Sequence, residues 1–105
     1  MIMRNDLDAF VCNDGLQAVV GQYKIYDGEK NLLVAGDFSV QPNQNEKLGN
    51  FAKFKDVKYF ILELSVDGKT YFNHFINEER AHDFTGYKQF LRVYNTMLDA
   101  KGVQI

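Results

Sequence analysis

The strongest constraint on this chain is a change of hydrophobic period. Between about residues 7 and 76 several segments alternate with a period of two, and from residue 87 onward apolar residues recur every three or four positions. Alternation places apolar side chains on one face of a strand, whereas the longer spacing places them on one stripe of a helix. A succession of strands followed by one helix is therefore expected.

The alternating region is punctuated by three Asp-Gly pairs, Asp14-Gly15, Asp27-Gly28 and Asp67-Gly68. Such pairs between apolar alternations signal hairpins, because glycine takes positive φ without steric cost. Leu7 to Asn13 reads as a first strand. Ala18 to Tyr26 reads as a second, with Val19, Gly21, Tyr23 and Ile25 on one face. Leu32, Val34, Phe38 and Val40 share the inward face of a third, with Asp37 and Ser39 outward. Pro42 ends that strand, and residues 43–46 read as a polar loop. Lys47 to Phe54 is a less regular strand. Tyr59 to Val66 turns Phe60, Leu62, Leu64 and Val66 inward and Glu63 and Ser65 outward. Asp67-Gly68 then joins it to Thr70–Ile76.

Tyr87, Phe90, Leu91, Tyr94 and Leu98 form the helical stripe, with Thr85 as the candidate cap and Gly102 after the end. About six strands and one helix point to an all-β fold: an immunoglobulin-like antiparallel β-sandwich with a C-terminal amphipathic helix, strands over about 7–76 and helix over about 85–98. One domain spanning residues 1–105 is expected, since a single proline and no low-complexity tract leave no linker. The stripe must dock on the sandwich or on a surface outside the chain. The short connection after the last strand favours the sandwich, and an undocked stripe would drive self-association.

A domain this small must obtain much of its core from its nine Phe and six Tyr residues. The net charge of −2 gives no electrostatic footprint for nucleic acid or an anionic membrane. No apolar run reaches the length of a membrane span, and the N-terminus lacks the pattern of a signal peptide. One cysteine, Cys12, makes no internal disulfide and reads as a small core residue.

No catalytic constellation stands out. Ser39 or Ser65 with His74 would need a nucleophile elbow or oxyanion hole that the sequence does not show. Glu63 is mid-strand, and Glu78-Glu79 lies in a charged run with Arg80 and Asp83 that reads as solvated surface. His74 and His82 lack a third ligand for a metal, and no cofactor is expected. His74 shares a face with Phe72 and Ile76, as a partly buried histidine or an interface residue. The aromatic residues, without tryptophan, read as core or domain interface rather than a sugar platform.

Several segments, in order, resemble a known family. Residues 10–16, Phe-Val-Cys-Asn-Asp-Gly-Leu, resemble the opening strand of the C-terminal immunoglobulin-like domain of glycoside hydrolase family 2 enzymes. Residues 21–28, 36–43 and 47–49 are similar to that domain's following strands and turns, as are residues 59–64 with Asp67-Gly68-Lys69. Asn73-His74-Phe75-Ile76 resembles the Asn-His-Tyr-aliphatic ending of β-mannosidase-like members, with Phe75 in place of the tyrosine. Residues 87–91 are similar to the terminal helix.

The resemblance spans about residues 7–98 and implies a non-catalytic accessory domain of a larger β-glycosidase of the β-mannosidase or β-galactosidase kind. It implies a catalytic (β/α)₈ barrel and other domains of the parent chain as partners, and carries no catalytic residue onto this chain. Asn73, His74, Phe75, Tyr87, Phe90 and Tyr94 are the candidate interface residues. Any export signal would lie upstream, so the compartment stays open. The alternative is a free-standing sandwich module binding carbohydrate or protein; fold alone does not choose.

Overall fold

The structure, a computed structural model, describes residues 1–4, 6–77 and 84–101, without the side chains of 84–86 and 99–101. Seven strands precede one helix: β1 (Ile2–Met3), β2 (Asp8–Asn13), β3 (Val19–Asp27), β4 (Leu32–Val40), β5 (Gln44–Asn50), β6 (Tyr59–Val66), β7 (Lys69–Ile76) and α1 (Phe84–Lys101), with a single 3-10 turn at Ala52–Phe54 between β5 and β6. They form two antiparallel sheets, ordered β1-β2-β5 and β4-β3-β6-β7. The chain crosses between sheets after β2, after β4 and after β5. β5 thereby returns beside β2, and β6 beside β3. This is the Greek-key order of an immunoglobulin-like sandwich.

Two cores result. Between the sheets, Ala9, Val11, Tyr23, Ile25, Phe38, Val40, Phe60 and Leu62 are buried together, with Met3, Leu7 and Phe51 closing the sides. Ile25, Phe60 and Leu62 are at most 1% exposed, and burial of such a side chain contributes about 1.5–3 kcal/mol. The second core lies between the outer face of the four-stranded sheet and α1. There Tyr59, Ile61 and Phe72 pack with Phe90, Tyr94 and Met97. Most of the stability of a protein helix comes from packing its apolar face, and α1 obtains it from this contact. The expected stripe docks as read, and Val93 and Met97 widen it.

The turns differ in kind. At Asp67 and Gly68 both φ values are positive, +52° and +77°, which is the two-residue hairpin turn expected. After β3 the positive φ falls on Lys30 (+71°) instead of Gly28. The Asp27 carboxylate accepts hydrogen bonds from the backbone N–H groups of Glu29 (2.8 Å) and Asn31 (2.9 Å) and closes a longer loop. Asp14-Gly15 makes no hairpin, because β2 and β3 belong to different sheets.

Other expectations change as well. Residues 44–46 are not loop but the start of β5, and residues 52–54 form the 3-10 turn rather than strand. A register shift between Ile25 and Tyr26 turns Leu33 toward the core and leaves Leu32 54% exposed. Cys12 is exposed, because the buried side of β2 is carried by Ala9, Val11 and Asn13. Thr85 lies inside α1, which begins at Phe84, so it is not the cap. Glu63 sits on the outward face as read but is 5% exposed, since that face is itself packed. Gly102, Glu78, Glu79, Arg80, His82 and Asp83 lie outside the described residues.

Candidate functional site

A cleft of about 470 Å³ opens at one end of the four-stranded sheet, where three segments meet. Asp27 ends β3 and Gly28 and Glu29 follow it in the β3–β4 loop, residues 56–59 come from the entry into β6, and Gln89 and Phe90 from α1. Tyr59 and Phe90 form its floor, stacked with ring centroids 4.7 Å apart and planes 9° off parallel. Gly28 lies directly over this pair. A Cβ there would stand 3.1 Å from the Tyr59 Cβ and 3.4 Å from the Phe90 Cδ1, so only glycine lets the loop approach without displacement.

The wall at residues 55–58 is held by Asn77, which is buried at the end of β7. Its side-chain N–H₂ donates to the carbonyls of Lys55 (2.9 Å) and Val57 (3.2 Å), and its backbone N–H donates to Lys58 O (2.9 Å). Sequence reading missed Asn77; its signal is an amide-bearing residue immediately after a strand, able to satisfy two loop carbonyls at once.

The rim is polar, with exposed Glu29, Asp56, Lys58 and Gln89. The Asp27 carboxylate is occupied by its own loop, its second oxygen accepting from the Asn31 side chain at 3.0 Å. Such a cleft can receive a small polar group. Among the described residues, no three His, Cys, Asp or Glu side chains are placed to hold a metal ion.

Of the six candidate interface residues, Asn73, His74 and Phe75 lie on β7 and Tyr87, Phe90 and Tyr94 on α1. Asn73 and Phe75 point into the sandwich: Asn73 donates to the Met1 carbonyl at 3.2 Å, and Phe75 packs 6.2 Å from Phe60. His74 faces the helix layer, its ring 4.9 Å from Tyr94 edge-on and 5.8 Å from Phe90. Tyr87 reaches Tyr59 at 6.4 Å. Phe90 and Tyr94 are buried within the chain itself. Loss of hydration against these rings lowers the His74 pKa, and burial raises that of Tyr94.

The serines do not meet this histidine. His74 pairs with Ile61, four residues along β6 from Ser65, a separation of about 13 Å by strand rise. Ser39 is exposed on β4, across the sheet. Glu63 accepts a long hydrogen bond from the Tyr26 hydroxyl (3.4 Å) and faces Lys24 Nζ at 3.9 Å. The Tyr26 phenol is pushed up by burial first and by the Glu63 charge second. Asp8 is similarly committed: Asn50 donates to it at 2.8 Å, and Lys47 and Arg4 stand at 3.3 and 3.6 Å. Those partners, the Asn50 hydrogen bond foremost, lower its pKa.

Comparison with family models, with curated proteins and with solved structures finds no match.

Proposed function

We propose that this chain is a non-catalytic β-sandwich module that acts through its surface. The observation that carries the reading is the commitment of Asp8, Asp27 and Glu63 to the fold, each held by hydrogen-bond or ionic partners of its own. General acid–base work needs such groups within reach of a substrate and of one another. In its narrower form the reading rests on the sequence resemblance alone: an accessory domain of a glycoside hydrolase family 2-like β-glycosidase, packed on and supporting the parent's catalytic barrel.

The alternative, a free-standing module for carbohydrate or protein, draws on a specific observation. The domain closes both cores with its own residues, α1 included, and leaves a polar-rimmed cleft open. Titration of the isotope-labelled chain with β-linked manno- and galacto-oligosaccharides tests it. Saturable NMR shifts at Gly28, Lys58 and Gln89 support a carbohydrate module. For the accessory form, a (β/α)₈ pattern encoded upstream in the same reading frame is the supporting result, and a frame opening at Met1 counts against it.

A further inference from the structure

Four strands edge the two sheets: β1 and β5 of one, β4 and β7 of the other. Three of these edges carry protection of the kinds that block strand addition. β1 is two residues long. β7 lies against β1, with the Asn73 side chain bonded to the Met1 carbonyl. β5 is polar, with Glu46 and Lys47 in its middle and a register shift against β2.

β4 differs. It runs for nine residues, Leu-Leu-Val-Ala-Gly-Asp-Phe-Ser-Val, with no proline and no lysine or arginine. Its irregularity is confined to its start, and its far end is clasped by Asn13, whose side chain donates to the carbonyls of Val40 and Gln41, both at 3.2 Å. β4 also lies near β5 and β2, but among the described residues its ladder hydrogen bonds run to β3 alone, so between these points its other side presents backbone donors and acceptors. Its first residue, Leu32, is 54% exposed, and Val20 on the adjoining β3 is 63% exposed.

We propose that β4 pairs antiparallel with β4 of a second copy of this chain, about a two-fold axis through Gly36, joining the two four-stranded sheets into one. The sequence of the edge is complementary to itself in this register. Val34 meets Phe38, Leu33 meets Ser39, and Gly36 meets Gly36, where the Tyr23 ring already covers the missing side chain. The single charge, Asp37, meets the methyl group of Ala35. Moving the axis to Asp37 sets two carboxylates directly opposite, which is unfavourable. Moving it to Ala35 sets Asp37 against Leu33. Both shifts are worse, so the Gly36 register is selected. A two-fold dimer is the commonest homo-oligomer, and its interface must be complementary to itself, as this edge is. One strand edge buries little area, so the dimer is weak and concentration-dependent. It does not use the helix stripe, which is covered within the chain.

Sedimentation equilibrium from about 10 μM to about 1 mM, a range that brackets weak association, tests the proposal. The average mass is expected to rise from 12.1 kDa toward twice that value. Ala35→Asp sets two like-charge pairs across the axis and is expected to weaken the dimer about 10-fold or more. Within the chain that aspartate faces Lys24 of β3, so the variant keeps its fold and its thermal midpoint is not lowered. The double variant Ala35→Asp with Asp37→Lys restores opposite charges across the axis and is expected to restore the dimer. A mass that stays at 12.1 kDa throughout overturns the proposal and leaves the edge to an extended segment of another protein. A dimer unaffected by Ala35→Asp also overturns it, placing the contact on another surface.

Discussion

Phe90→Ala probes the joint between α1 and the sandwich. Phe90 is 2% exposed, stacks on Tyr59 at 4.7 Å and lies 6.1 Å from Tyr94 and 5.8 Å from His74. Truncating a buried Phe to Ala costs about 3–5 kcal/mol, part of it from the cavity. A domain of this size has only about 5–15 kcal/mol in total. The loss has a ceiling, because α1 can leave the sheet instead of sheltering a void. Once it leaves, further truncations on the stripe add nothing. The expected result is therefore a loss of about 3 kcal/mol or more in urea unfolding, with the Phe90→Ala/Tyr94→Ala double variant costing clearly less than the sum. Amide exchange over residues 87–98 should quicken while β3 and β6 stay protected. A cost below about 1 kcal/mol, with exchange over the helix unchanged, would refute the reasoning, since a buried stacked ring cannot be removed so cheaply.

Further expectations follow from the same structure. Leu62→Ala, at a site 1% exposed between the sheets, should cost about 2–5 kcal/mol in denaturant unfolding. Gly68→Ala meets no neighbour within 4 Å but imposes a φ of +77° on a residue with a Cβ, so unfolding should show a loss of about 1–2 kcal/mol from strain alone. His74 has a lowered pKa in the folded state, so the unfolded chain takes up the proton first. Its contribution is intact above about pH 6.5 and is lost as pH falls from there through the lowered folded value. His74→Asn should remove that dependence. Asp8 acts lower: its depressed pKa gives stability that is present above about pH 4 and lost on further acidification. Urea midpoints measured across both windows separate the two.

Much of the fold was legible because alternation reports the buried face directly. β4 and β6 match their expected bounds, and the docked helix stripe was visible in its spacing. Failures came where tertiary pairing overrides local signal. Residues 44–46 look like a loop by composition, yet β2 needs a partner and recruits them as strand. Asp14-Gly15 and Asp67-Gly68 look alike, but only the second pair joins strands of one sheet. Cys12 was misplaced because alternation tells which residues share a face, not which face is buried when Phe10 and Cys12 compete with Ala9 and Val11. The cleft was invisible in sequence because it depends on segments far apart in the chain, brought together by Asn77 and by the close approach of Gly28. Asn73 and Phe75 could not be told from His74 as interface candidates until the strand's two faces were assigned.

The central claim, action through surface contact instead of chemistry, is tested most directly by turnover. Purified chain is incubated with aryl β-mannoside, β-galactoside and β-glucuronide substrates beside a Glu63→Gln, Glu78→Gln, Glu79→Gln triple variant. The account expects release of the aryl group at the same background rate for both proteins. Turnover by the parent chain that the triple variant abolishes would contradict it.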